Sequence, residues 1–243
     1  MIFPNLFKPG AVGKLTAKNR LIMPAMHTNL GSPEDGISEA GVEFYVARAK
    51  GGFGQIGVGI IDSFQFDHAS PGEFLLNSNR HIEIHAGLVK RLREEGALSF
   101  AQIGLRRIWA LRQIRQRPSL SEFSDAEIRT WIQAVVDTAI RAVDAGYDGV
   151  DLLGNGGGAI SIFTSQVFND RDDEWGGDEE RRLNFALAIV RGIRAAVGGD
   201  IPITSRLHGA EFLKGGYGLD VSIRNAHRLA DAGIDLFNIA AGG

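Results

Sequence analysis

The passage from helix to strand recurs in this chain in one form: a helical stretch closes, a glycine follows, and an apolar run begins. It is written EEGALSF around Gly96, AGYDGV around Gly146 and AGIDLF around Gly233. A chain punctuated this way alternates helices with strands, and such alternation calls for a parallel sheet with helical crossovers. Six apolar runs fit strands, at residues 20–25, 53–61, 97–103, 147–153, 201–207 and 234–240. They show little alternation, as expected of strands covered on both faces. An open doubly wound sheet and a rolled barrel both satisfy the pattern. A closed barrel of eight strands needs more than the six found here.

Helical patterns occupy residues 38–50, 82–95, 124–145, 178–197 and 220–232. Ser38 is placed to cap the first and Gly51-Gly52 to end it. In the second, Ile84, Leu88, Val89 and Leu92 recur at spacings of three and four, so one face is apolar. Ser124 and Glu127 have the spacing of a capping box. Residues 1–19 are rich in turn formers and read as a cap or small hairpin. The stretch 154–177 breaks this rhythm, because about twenty irregular residues follow the fourth strand before the next helix opens. A connection of that length in an α/β chain usually has a binding or gating role. Its run Gly154-Asn155-Gly156-Gly157-Gly158 lacks the Lys-Ser/Thr sequel of a phosphate-binding P-loop.

Composition excludes several function classes. A net charge of -3 gives no support to binding of nucleic acid or a membrane surface. With 243 residues, 44% of them apolar, a single domain spanning 1–243 can build a substantial core. The absence of cysteine rules out disulfides, thiolate catalysis and cysteine metal sites, and agrees with the cytoplasmic location we expect. No signal peptide is expected, and no apolar run approaches the ~20 residues that span a bilayer. Arg106, Arg107, Arg112, Arg115 and Arg117 make a basic patch, read first as a solvated face and second as an anion or partner contact. His81 and His85 have the spacing of a metal pair on a helix, but no third ligand is evident nearby. They are expected as a surface pair, with no metal.

Longer stretches carry a resemblance. LFKPGAVGKLTAKNRLIMPAM near the start, Tyr45 with ARAKGGFG after it, GALSFAQIG, SQVFNDRDDEWGGDEERR and ITSRLHGAEFLKGG together resemble the Old Yellow Enzyme family of NADH:flavin oxidoreductases. These are FMN-dependent TIM barrels, and the chain is also similar to the barrel part of dienoyl-CoA reductases and amine dehydrogenases. The resemblance implies an α/β fold of TIM-barrel (βα) units, here an incomplete barrel of about six parallel strands with an N-terminal cap. It implies FMN at the C-terminal face, where sites of such barrels lie. By position, Pro24, Ala25 and Met26 would pack by the isoalloxazine. Gly57 to Gly59 would meet it from the second strand, and Gln102 would bond its pyrimidine edge. Arg206 would stabilise charge near N1 and O2, and His27 stands where relatives tune the ring. Arg171, Asp173, Glu180 and Arg182 would tie the long loop to the helix after it.

The departures from the family pattern are specific. Where the family's fourth strand leads into a histidine, a histidine or asparagine, and a tyrosine, this chain has Leu153, Gly156 and Gly158. None of these side chains can donate a hydrogen bond or a proton. The end of the third strand is also altered, to Leu105, Arg106 and Arg107. The family's phosphate loops, after strands seven and eight, have no counterpart in these residues. His27 and His208 remain as weak candidates for acid–base work. The first reading is therefore a degenerate, non-catalytic or partner-dependent subunit, with a homo- or hetero-oligomer covering the open barrel edges. The alternatives are an active FMN-dependent NAD(P)H oxidoreductase acting on a small molecule and completed by another chain, and a barrel fragment or binding module without cofactor.

Overall fold

The computed structural model describes residues 3–63, 72–105 and 119–241. All six expected strands form. An N-terminal hairpin comes first, with β1 (Gly10–Val12) antiparallel to β2 (Leu15–Ala17). Gly13 turns between them at a φ of 56°, a conformation that favours glycine. The main sheet runs through β3 (Ile22–Met23), β4 (Gln55–Asp62), β6 (Leu98–Gly104), β7 (Gly149–Gly154), β8 (Ile203–His208) and β9 (Leu236–Ala240), all parallel. A two-residue strand, β5 (Phe74–Leu75), pairs with β4 off that path. The ladder of β3 stops at Met23 because Pro24 has no amide hydrogen to continue it.

Each strand joins the sheet beside the one before it, without a reversal of order. A doubly wound sheet reverses at a switch point. Sequential order with right-handed crossovers instead puts every helix on one side, and the sheet curls with its other face inward. The six strands form a half-barrel, an incomplete version of the TIM-barrel type. β3 and β9 end the ladder and do not pair with each other.

The helices are α1 (Glu39–Lys50), α2 (Ile82–Glu94), α3 (Asp125–Asp144), α4 (Ala159–Thr164), α5 (Glu179–Arg182), α6 (Asn184–Val197) and α7 (Leu219–Ala232). Ser38 caps α1 by accepting from the Gly41 amide at 3.2 Å. At α3 the capping box closes: Ser124 Oγ accepts from the Glu127 amide at 3.3 Å, and the Ser124 amide donates to Glu127 Oε2 at 2.9 Å. Outward strand residues meet the helices in two apolar clusters. One packs Ile103, Val150, Leu152 and Ile203 against Trp131 and Val135 of α3 and Phe185, Ile189 and Ile193 of α6. The other gathers Ile56, Val58 and Ala101 with Tyr45, Val46, Leu88 and Leu92.

Three expectations are corrected. The long connection is not irregular throughout, for it contains α4, whose Phe163 ring stacks on Phe185 with centroids 4.1 Å apart. Six residues, four of them apolar, give too short a period to separate helix from strand. The helix expected over 178–197 breaks at Leu183 into α5 and α6. His81 and His85 are both fully buried, not a surface pair. His85 Nε2 lies 3.1 Å from the Leu75 carbonyl and Nδ1 2.8 Å from the Tyr147 hydroxyl. A carbonyl can only accept, so Nε2 carries the proton and Nδ1 accepts from tyrosine.

Candidate active site

Residues of β6, β7 and β8 that alternate with the outward apolar ones face the barrel interior: Phe100 and Gln102, then Gly149, Asp151 and Leu153, then Thr204, Arg206 and His208. Register places Gln102 opposite Asp151, and Asp151 opposite Thr204. Hydrogen bonds follow that row. Gln102 Nε2 donates to Asp151 Oδ2 at 2.6 Å, and Thr204 Oγ1 donates to Asp151 Oδ1 at 2.7 Å. Burial raises the pKa of Asp151, opposed by the bonds from Thr204 and Gln102 and by the charge of Arg206.

Arg206 lies one layer nearer the C-terminal end, in register with Asn238 of β9. It does not pair with Glu211, whose carboxylate accepts from the Tyr217 amide at 3.0 Å. Its terminal nitrogen instead reaches the Ala25 carbonyl at 3.4 Å, across the interior from β8 to the end of the first barrel strand. Its Nε is buried and without a partner. A buried N–H with no acceptor is a donor waiting for one. Below it lies a cavity of about 350 Å³, walled on one side by Ile22, Met23, Pro24 and Ala25, on the other by Leu236, Phe237 and Asn238, and floored by Phe100, Gly57 and Gln55. Gln55 Oε1 is also buried without a partner. Gly57 is required where it stands, since a β-carbon there would come within 2.7 Å of the Ala25 amide nitrogen.

Of the sequence-derived candidates, Pro24, Ala25 and Gly57 line this cavity, and Gln102 and Arg206 stand on the adjoining inner face. Met26 is 51% exposed and outside the lining. His27 is also at the surface, 3.9 Å from the buried carboxylate of Glu73. His208 is the last residue of β8, not a residue beyond it, and is buried. Burial lowers its pKa, so it is neutral near pH 7. Its Nε2 accepts from the Gly156 amide at 3.3 Å, while Nδ1 is buried without a partner. Leu153 packs against Gly104 and Gly158: a β-carbon on Gly158 would meet the Leu153 carbonyl at 2.9 Å, and one on Gly104 would come within 3.2 Å of Leu153 Cδ2. The end of β7 is therefore an apolar plug, and the glycine run is fastened to β8 through His208.

The loop beyond is held by Arg171. It pairs with Asp173 and donates to the Leu120 and Phe123 carbonyls, both at 2.6 Å, at the entry to α3. Arg182 closes on the Gly177 carbonyl at 3.0 Å. The basic patch Arg106, Arg107, Arg112, Arg115 and Arg117 lies outside the described residues. Among the described residues no cluster of three His, Asp or Glu could hold a metal, and no helix is long and apolar enough to cross a membrane. Asp151 and Thr204 were missed in the sequence. A carboxylate inside the apolar run VDLL was the available signal, because a buried charge needs partners.

This set suits the flat heteroaromatic ring of a flavin: an apolar wall, a glycine packed close on that wall, an amide and a guanidinium with an unpartnered Nε. The chain belongs to the NADH:flavin oxidoreductase / NADH oxidase family, whose profile matches residues 5–242. Members of that family are FMN-dependent oxidoreductases. An NADH oxidase of Thermoanaerobacter brockii is 34% identical over 99% of this chain and 39% of its own length. The structure of a 2-naphthoyl-CoA reductase superposes with a TM-score of 0.90 at 27% identity, over 99% of this chain and 41% of that one. An Old Yellow Enzyme homologue from Zymomonas mobilis shares the fold, with a TM-score of 0.85 at 22% identity over 97% of this chain and 73% of that one. The chain thus spans about two fifths of the length of the first two.

Proposed function

We propose that this chain forms the flavin-holding barrel of an FMN-dependent oxidoreductase that takes electrons from NADH or NADPH and passes them to a small-molecule acceptor. The observation that carries this reading is the unpartnered Nε of Arg206, which together with Gln102 faces the interior next to a cavity walled by Pro24, Ala25 and Gly57. The named activities of its relatives, oxidases and reductases, favour it over a non-catalytic subunit. Bound FMN would supply the hydride-transfer chemistry. Arg206 would hold positive charge at the electron-accepting edge of the ring, where a fixed charge in a water-poor site acts strongly. Gln102 would orient the ring, and the residues from Pro24 to Ala25 would exclude water from one side.

Leu153, Gly156 and Gly158 bring no side-chain donor, so the protein delivers no proton from these three positions. This lowers the rate for acceptors that need protonation and leaves hydride transfer intact. We also infer that further strands, from a longer parent or another chain, close the gap between β3 and β9 in the working protein. FMN titration followed by anaerobic addition of NADH and NADPH tests the reading. Yellow protein that bleaches with either nucleotide is expected, with Arg206→Met weakening FMN uptake by about tenfold, the scale of one charged hydrogen bond. Protein that stays colourless with excess FMN overturns it.

A further inference from the structure

The row Gln102–Asp151–Thr204 has a chemical asymmetry that the flavin reading by itself does not use. A carboxamide has a donor end and an acceptor end, and the two are close to isosteric. Asp151 accepts at both oxygens, from Gln102 Nε2 and from Thr204 Oγ1, although burial raises its pKa. Asp151 therefore distinguishes the ends of Gln102: Oδ2 takes a hydrogen from Nε2 at 2.6 Å, which fixes Oε1 as the end not held by the protein row. The carboxylate itself cannot swing, because Oδ1 is held by Thr204 at 2.7 Å. All three side chains are buried.

We propose that Asp151 is a positioning residue that sets the orientation of the Gln102 amide, so that the site presents an acceptor to its ligand and selects a ring bearing an N–H. On the flavin reading, on which this rests, that group is the imide N–H of the pyrimidine ring. A ring methylated at that nitrogen would both lose its bond and leave Oε1 buried against a methyl group. Discrimination against a ligand that leaves buried polar groups unpaired exceeds discrimination by shape alone.

The test compares FMN with its N3-methyl analogue by quenching of flavin fluorescence, in the wild-type protein and in Asp151→Asn. The expected wild-type preference for FMN is about tenfold or more, the scale of an unpaired buried group. In Asp151→Asn the amide loses its fixed partner, and the preference is expected to fall toward one. A merely structural role would weaken both ligands in parallel and leave their ratio unchanged, and that result overturns the proposal. So does wild-type protein that binds both ligands equally. Uptake of neither ligand by the wild type would overturn the flavin reading instead. The side-chain amide of Gln102, observed by NMR in ligand-free wild-type protein, then decides the lock separately. One strongly deshielded, exchange-protected amide proton is expected, and two averaged, rapidly exchanging protons would overturn it whether or not the variant folds.

Discussion

Tyr45 shows how a buried hydroxyl organises a strand. It is completely buried, and its hydroxyl both receives from the Gly59 amide and donates to the Gly59 carbonyl, each at 3.1 Å. Gly59 adopts a φ of 152°, and a β-carbon there would press within 2.7 Å of the Gln102 carbonyl. Burial pushes the phenol's pKa up to about 12, so it remains a donor at any working pH. Tyr45→Phe removes the partner of two buried backbone groups, and we expect a loss of ~1–3 kcal/mol in a urea melt. His85 carries a pH dependence. Burial lowers its pKa from 6.5 to about 4, so in this range the unfolded chain binds a proton that the fold does not. Stability from this group is therefore complete above pH 6.5 and falls as pH drops toward 4, by a total on the order of 3 kcal/mol. An NMR titration of the His85 ring beside urea melts across that range checks both halves of the statement.

At the scale of elements, the legible parts were those governed by local rules. Ser38 and Ser124 announced helix starts by side-chain chemistry that acts within one turn, and both caps are present. The glycine junctions placed the strands to within a few residues. What escaped was set by distant partners. α4 has no cap from a side chain, and its formation depends on Phe163 finding Phe185, twenty-two residues on. Likewise nothing near His85 in sequence says that Tyr147 will meet it. Phe163→Ala should cost ~3–5 kcal/mol, the range for truncating a buried aromatic, and should loosen α4 before the barrel strands. Hydrogen exchange in segment 159–164, faster in the variant while β6 and β7 hold their protection, is the expected pattern.

For the whole molecule, strand order decides more than strand count. A sheet that adds each strand beside the last puts its helices outside and its polar residues inside, which is how Gln102, Asp151, Thr204 and Arg206 come to share one interior. The pattern of apolar runs left open sheet and barrel undecided, because both bury the same alternating elements; order separates them. Resemblance supplied Pro24, Ala25, Gly57, Gln102 and Arg206, which the structure brings to one inner face, and Met26, which it places outside. The candidate site was not legible at Asp151, whose role depends on register between strands. The ladder's ends also predict a gradient. β7 is buried along its whole length, whereas the residues of β9 are only partly covered, and Ile239 is 59% exposed. Amides of β9 should exchange much faster than those of β7 in this chain, since local opening follows the density of buried contacts. Equal protection would mean that the edge is covered in solution.

The polar row has a consequence for recombination between barrels. Its members are separated by 49 and 53 residues, close to one βα unit each, so every unit contributes a single link. Shuffling units among homologous barrels is attractive because each is a self-contained strand, helix and turn. Here a donor unit replacing β7 must bring a carboxylate at the position of Asp151, or the graft will leave a mute amide on one side and an idle hydroxyl on the other. The unit of inheritance at this site is therefore the crosswise triplet, which no contiguous cut preserves unless it carries all three strands together.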